Sequence, residues 1–335
     1  MRVLFYSQVG GMGGSTRLLL NLGRHLADET EVFVALPEVN DSIDRDLRLA
    51  YPDLHFINQD LDTLNALKAD AALFHLPLSL PAAVDMDVRY KYAVSMEIIE
   101  SLPVIFTDEL VSKFDHLFYL HEEQVQDLSE RVQKECCSLM PLINNIDFSL
   151  PFKKTKTVAV IGGRRKVSWV QLLRIAASLP YGYRLVNWSA DDHDHVNFRW
   201  RRLLRYRWLK QYLQYRWLYF RKRPQFLPVE IDVRTMMSQF DALVHVPSFS
   251  NGTSTVVSDA LQCGKLVFLS NIPGTVRAYS GLPGVIILDK GIRHYSDVLE
   301  AYDEDVWLQI KRAYGHVYSR KDALRQWRDA IFEGK

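Results

Sequence analysis

Residues 241–277 read DALVHVPSFSNGTSTVVSDALQCGKLVFLSNIPGTVR, and their polar groups are spaced for chemistry. An apolar run with β character, 242–246, breaks at Pro247 into a turn cluster containing Ser248, Asn251, Gly252, Thr253, Ser254 and Thr255. A helix is expected from 255 to 263, with a stop at Gly264 and a second apolar strand at 266–269. In such a strand–loop–helix unit, successive backbone N–H groups and the helix N-terminus face the carboxyl edge of a parallel sheet. That place suits a phosphate. Arg164, Arg165 and Lys166 follow a second apolar run, 158–161, at the same edge; they read as a clamp for an anion or as a solvated basic turn. Near the start, Gly10, Gly11, Gly13 and Gly14 separate the first strand from the first helix and let a ligand or a facing domain come close to the backbone. A βα turn that binds nothing would look the same.

Other polar groups are weaker candidates. His75 ends an apolar run, where an imidazole can face a ligand or be hydrogen-bonded scaffold. Asp191, Asp192, His193, Asp194 and His195 have the chemistry of a divalent-cation site. Five consecutive residues cannot all turn toward one point, so a solvated loop is expected and no metal is assigned. No local spacing suggests a Ser/His/Asp or Cys/His nucleophilic set.

The elements that must position these residues alternate along the chain. Apolar runs at 3–7, 31–36, 54–58, 71–75, 92–96, 116–120 and 138–142 read as strands, with helices expected at 18–26, 61–68, 108–113 and 121–132. A second series follows: strands at 158–161, 184–188, 226–229, 242–246, 266–269 and 285–288, with helices at 169–179, 232–240, 255–263, 295–302, 306–318 and 320–332. Strands alternating with helices predict an α/β fold with doubly wound parallel sheets. A length of 335 residues, 48% of them hydrophobic, is enough for two such domains. The Pro, Lys and Thr residues of 151–156 mark the linker between them.

Within this frame the chain resembles the retaining glycosyltransferase family four. The resemblance rests on Pro247-Ser248, Asn251-Gly252, Asp259-Ala260-Leu261, Cys263-Gly264 and Leu266-Val267, which match a donor-binding motif, and on Pro141 to Asp147, which resembles a Pro-Asn-Gly-Val-Asp segment. It covers nearly the whole chain. It implies a GT-B fold: two Rossmann-like domains facing a central cleft, with a last helix crossing back to the first domain. The expected boundaries are 1–152 for an acceptor-side domain, 153–315 for a nucleotide-sugar domain, and 316–335 for that helix. It implies sugar transfer from a nucleotide-diphosphate sugar to an acceptor hydroxyl, with retention and without cofactor or metal.

The resemblance also implies roles. Arg164 and Lys166 would hold the pyrophosphate with Gly252, Thr253, Ser254 and Thr255, and Gly13 and Gly14 would lie beside them. Asp259 stands where the family has a Glu on the ribose hydroxyls and can still accept those bonds. Asn251 stands where a first Glu contacts the donor sugar; an amide bonds hydroxyls but carries no negative charge. Where the family often has a His, this chain has Ser95-Met96-Glu97, so Glu97 becomes the polar group over donor or acceptor, or a helix-capping Glu. Glu97, Asn251 and His75 are the catalytic candidates.

One stretch departs from the family. Residues 197–223, NFRWRRLLRYRWLKQYLQYRWLYFRKR, lie in an insertion, 195–224, that contains no acidic residue. Trp200, Leu204, Trp208, Tyr212, Tyr215 and Tyr219 recur at three- and four-residue spacing, with Arg199, Arg202, Lys210 and Arg221 largely on other faces. Arg201 and Arg205 lie on or beside the stripe. Such a helix suits an anionic membrane surface, an oligomer or domain interface, or nucleic acid. Trp200, Arg202, Trp208, Lys210, Trp217 and Arg221 would make the contacts. The membrane reading points to an acceptor glycan or glycolipid of surface polysaccharide synthesis. Hydroxylated bases of DNA are a second acceptor class, and a catalytically silent assembly protein that binds a nucleotide or glycan is a third reading.

Bulk properties narrow the setting. A net charge of +1 excludes a polyanion binder acting through overall charge. Cys136, Cys137 and Cys263 are odd in number and lack metal-site spacing, which fits a reducing compartment. No signal peptide and no apolar run near the roughly 20 residues of a spanning helix is seen. The expected location is cytoplasmic, at the inner membrane face where the insertion meets lipid.

Overall fold

The structure, a computed structural model, describes residues 1–8, 14–37, 41–76, 85–95, 112–120, 137–144, 150–161, 178–188, 213, 225–227, 232–246, 254–288 and 295–333. The chain divides into two compact units. One comprises Met1–Asn145, Gly252–Thr255 and Ser319–Lys335; the other comprises Ile146–Asn251 and Val256–Tyr318.

The first unit contains β1 (Arg2–Tyr6), α1 (Gly14–Leu26), β2 (Glu31–Ala35), α2 (Asp41–Ala50), β3 (His55–Ile57), α3 (Leu61–Ala66), β4 (Ala71–Leu76), β5 (Tyr90–Ser95), β6 (His116–Tyr119) and β7 (Cys137–Leu139). Its strands pair in the order β3-β2-β1-β4-β5-β6-β7, all parallel. A parallel sheet is covered on both faces, so its strands are apolar on both. Val3 and Phe5 of β1 join Leu18, Leu19 and Leu22 of α1 in one core. Leu4 and Tyr6 join Leu64 of α3 and Met86 in the other.

The second unit contains β8 (Thr157–Ile161), β9 (Arg184–Trp188), β10 (Gln225–Leu227), α4 (Val233–Ser238), β11 (Ala242–His245), α5 (Thr255–Gln262, whose first residue groups with the first unit), β12 (Leu266–Ser270), α6 (Pro273–Tyr279), β13 (Val285–Leu288), α7 (Tyr295–Ala301) and α8 (Glu304–Val317). Strand order is β10-β9-β8-β11-β12-β13, again all parallel. In both sheets the order reverses beside the unit's first strand, between β1 and β4 and between β8 and β11. Asp241, fully buried before β11, fixes the entry of β8: it accepts bonds from Thr155 N at 2.8 Å, Thr155 Oγ1 at 3.0 Å and Lys156 N at 2.7 Å. A buried carboxylate needs such donors.

Helix α5 ends in a tight left-handed turn. Gly264 has φ +72°, its N–H donates to Leu261 O at 2.9 Å, and Lys265 N–H donates to Ala260 O at 2.9 Å. This is the Schellman arrangement. Two aromatic side chains close over it: Trp307 Nε1 donates to Cys263 O at 2.8 Å and Tyr302 OH to Gly264 O at 3.0 Å.

The last helix, α9 (Arg320–Glu333), belongs to the first unit. Trp327 is fully buried there, edge-on to Phe118 at 5.2 Å, and its Nε1 donates to Pro141 O at 2.8 Å. Arg320 Nε donates to Asn144 O at 2.9 Å.

The strands and most helices fall within a few residues of the sequence expectation. Helices α2 and α6 were not expected. The first is rich in charge and buries Leu47. The second opens with Pro273-Gly274, which reads as a turn but places Pro at the first helical position, where its missing N–H costs nothing. The expected helices at 108–113, 121–132 and 169–179 lie wholly or largely outside the described residues.

Gly264→Ala would force a Cβ to 2.4 Å from Trp307 Cδ1 and 2.7 Å from its backbone oxygen, in a backbone conformation that disfavours side chains. The expected loss of stability is about 2–4 kcal/mol, read as a lowered urea midpoint.

Candidate functional site

In the second unit the strand–loop–helix segment forms as its pattern demands. β11 pairs with β8 on one side and β12 on the other, so its carboxyl end lies at the switch point of the sheet. α5 follows, its first turn without an acidic residue, and Ser254 and Thr255 stand at its N-terminus. A helix start favours an anion through its N–H groups and dipole, and the first turn of α5 carries no acidic side chain to oppose one. Asp259 lies one turn further on and is 1% exposed. Ser258 Oγ lies 3.1 Å from the Tyr279 hydroxyl, pinning α5 to α6. Cys263 is no nucleophile: burial, with the Asp259 charge nearby, pushes its thiol up to about 12.

The carboxyl edge of the first sheet holds a separate set of polar groups. Ser7 follows β1 and His75 lies near the end of β4, the two strands of that sheet's switch point. Ser7 Oγ lies 2.9 Å from His75 Nδ1. Gln59 Nε2 donates to Ser7 O at 2.8 Å and to Ala35 O at 3.0 Å, tying the ends of β1 and β2. His75 is 1% exposed, and burial pushes its pKa down to about 4, so the ring is neutral. Its Nε2 is buried without a hydrogen-bond partner. Leaving such an atom unmet costs about 1–3 kcal/mol.

Gly14 and Thr255, both in the first unit, come together. A Cβ on Gly14 would lie 2.6 Å from Thr255 Oγ1, a side-chain atom from far along the chain. Ser254, Thr255 and Asp259 share one helix start, and His75 lies at the first sheet's edge. Gly13, Glu97, Arg164, Lys166, Asn251, Gly252 and Thr253 lie outside the described residues, as do Trp200, Arg202, Trp208, Lys210, Trp217 and Arg221 and the acidic run 191–195. Among the described residues no group of three His, Cys, Asp or Glu could hold a metal ion, and no helix is long and apolar enough to cross a membrane. Ser7 and Gln59 were not expected. The signal for Ser7 is a small polar residue ending a buried apolar strand; Gln59, just before the Asp60 cap of α3, carries none.

Two wholly parallel, doubly wound sheets in one chain, each reversing strand order beside its first strand, define the GT-B fold. No protein-family profile matches the sequence, and no curated protein does. Solved structures do match. The Anabaena protein Alr3699/HepE, in complex with UDP-glucose, superposes with a TM-score of 0.74 at 13% identity, over 99% of this chain and 100% of that one. TarM of S. aureus, a mutant in complex with fondaparinux, α-GlcNAc-glycerol and UDP, gives 0.74 at 10% identity, over 98% and 99%. WaaG, a glycosyltransferase involved in lipopolysaccharide biosynthesis, gives 0.61 at 12% identity, over 99% and 98%.

The depressed pKa of His75 has a stability consequence. The folded value, about 4, lies below the usual 6.5, so the unfolded chain binds the proton first. The contribution of the neutral ring is fully present above pH 6.5 and is lost as pH falls toward 4, to the extent of about 3 kcal/mol. Denaturant melts between pH 7 and 4 should show a steeper fall for the parent protein than for His75→Gln.

Proposed function

We propose that the chain is a retaining glycosyltransferase that moves a sugar from a nucleotide-diphosphate sugar, UDP-linked, to an acceptor hydroxyl. The observation that carries this is the start of α5: a buried helix without acidic residues in its first turn, with the Asp259 carboxylate one turn in, at the switch point of a GT-B second unit. That structures similar to this one were solved with UDP or UDP-glucose supports the nucleotide.

On this reading the pyrophosphate meets the N-terminus of α5 with Gly252, Thr253, Ser254 and Thr255, and Arg164 and Lys166 supply the positive charge. Gly13 and Gly14 approach from the glycine turn. Asp259 accepts the ribose hydroxyls, and Asn251 bonds the donor sugar. The acceptor oxygen attacks the anomeric carbon on the face the nucleotide leaves. The bond from that carbon to the phosphate oxygen breaks, and the acceptor proton passes to the departing phosphate. Negative charge grows on the leaving group, and fixed N–H dipoles and cations aimed at it lower the barrier without reorganising. Glu97 and His75 serve as polar groups on the acceptor side. No metal or cofactor is needed.

The acceptor is a membrane-associated glycan or glycolipid. The acid-free aromatic and basic stretch 195–224 favours a membrane surface, and WaaG and TarM support a glycan acceptor, the former through its part in lipopolysaccharide biosynthesis and the latter through its complex with α-GlcNAc-glycerol. The protein would work at the inner face of the membrane.

UDP at a hundredfold excess over its Kd should stabilise the protein by about 2.7 kcal/mol, a rise of several degrees in Tm. Asp259→Ala should lose most of that rise. An absent response to UDP, GDP, ADP and CMP alike would remove the donor site, whereas nucleotide binding without turnover of any nucleotide sugar would mark a silent assembly protein. For the membrane, sedimentation with phosphatidylglycerol vesicles should exceed that with phosphatidylcholine. Arg202→Gln, Lys210→Gln and Arg221→Gln together should weaken it about a hundredfold, at about 1 kcal/mol per charge. Salt-sensitive binding to duplex DNA without vesicle binding would favour the DNA-modifying reading.

A further inference from the structure

We infer that the surface at the amino ends of β8 and β9 docks a second copy of this chain, in a two-fold pair where a basic lobe of each copy meets an acidic lobe of the other. The inference lies within the second unit and is independent of donor and acceptor.

The basic lobe is built on two strand starts. Lys153, Lys154 and Lys156 lead into β8, and Arg184 opens β9. Thr157 pairs with Arg184, whose N–H donates to Lys156 O at 2.9 Å, so the sheet brings the backbones of Lys156 and Arg184 together. All four cations are exposed, and residues 150–161 and 178–188 contain no Asp or Glu. None of the four forms an ion pair with a described residue. Lys156 has φ +52°, a backbone conformation that disfavours a side chain, so this cation is held in place against strain.

The acidic lobe is the run 295–310. It carries Asp297, Glu300, Asp303, Glu304 and Asp305, all exposed, and no Lys or Arg. The two lobes share a fixed border. Lys154 Nζ donates to Glu300 O at 3.0 Å, Tyr183 OH donates to Leu299 O at 2.6 Å, and the Phe152 ring lies 5.8 Å from that of Tyr302. Beside this border Tyr181 is fully exposed, in a turn closed by the Tyr183 N–H, which donates to Pro180 O at 3.2 Å.

This arrangement selects the partner. Charges interact over about 8 Å at physiological ionic strength, and the lobes are in contact. An anionic membrane or polymer would meet both at once, and five carboxylates would oppose what four cations attract. A surface carrying the same two lobes in reversed order satisfies both. Rotating a second copy by 180° about an axis through the border produces that order, which is the self-complementarity of an isologous interface. Tyr181 then lies near the axis in both copies and supplies the aromatic contact that the centre of an interface favours.

The test is sedimentation velocity on the full chain between about 1 and 100 µM. At low salt a concentration-dependent equilibrium of monomer and dimer is expected, and about 0.5 M NaCl should raise its Kd at least about tenfold by screening. One variant reverses the basic lobe with Lys153→Glu, Lys156→Glu and Arg184→Glu together. Another reverses the acidic lobe with Glu300→Lys, Glu304→Lys and Asp305→Lys together. Asp303 is left intact because its carboxylate accepts the Val306 N–H at 3.0 Å and caps α8. Each variant alone should lose at least about a hundredfold in affinity, because like charges then face each other in both halves of the pair. Mixed in equal amounts, the two should form a heterodimer about as tight as the parent dimer, a recovery that excludes misfolding as the cause of either loss. A parent protein that stays monomeric overturns the inference, as does a dimer that survives either reversal or a mixture that stays monomeric. With a monomeric parent, loss of phosphatidylglycerol-vesicle binding in the basic-lobe variant would assign that lobe to a lipid surface instead.

Discussion

The left-handed turn at Gly264 is the constraint on which the second unit depends. It lets the chain leave α5 and enter β12 within three residues, so the helix cannot drift along its axis relative to the sheet. Trp307 and Tyr302 reach across from α8 and the segment before it to bond the two carbonyls of that turn, Cys263 and Gly264. Satisfying helix-end carbonyls in the interior is a requirement of burial. With the rear of α5 pinned in this way and its flank held by the Ser258–Tyr279 contact, its front end is set at the carboxyl edge. Asp259 is buried one turn behind that front.

The units place ionisable groups differently. Asp241 and Lys265, before β11 and β12, lie at the amino edge of the second sheet, where the carboxylate is bonded to the backbone of β8's approach and burial draws the lysine pKa down. These groups serve folding. The opposite edge is left without acidic side chains in the first turn of α5. In the first unit Ser7, Gln59 and His75 lie at the switch point as uncharged groups, and buried Arg17 stands in the first turn of α1 that follows β1.

Most of the architecture was legible because strands buried on two faces must be apolar throughout, and runs such as Val3 to Tyr6 and Leu266 to Leu269 announce this without any knowledge of their neighbours. Helix α2 was hidden by its charge, since few apolar residues beyond Leu47 anchor it. Helix α6 was hidden by Pro273-Gly274, which favours a turn by composition and a helix start by position. At the candidate site, Gly14, His75, Thr255 and Asp259 were legible as types in a motif. The tight space at Gly14 was not, because its neighbour is Thr255, 241 positions away. Ser7 and Gln59 could not be found either. Their importance comes from the pairing of β1 with β4 and β2, which no local pattern encodes.

Trp327 fills the core of a unit whose strands all lie before residue 140, yet the whole of the second sheet separates them in the chain. On the ribosome the order of synthesis and the order of completion therefore differ. The second unit can close as soon as α8 has emerged, while the first must wait with Phe118 and the Pro141 carbonyl uncovered until the final helix arrives. The unit whose strands come first in the sequence is completed only when α9 packs against it.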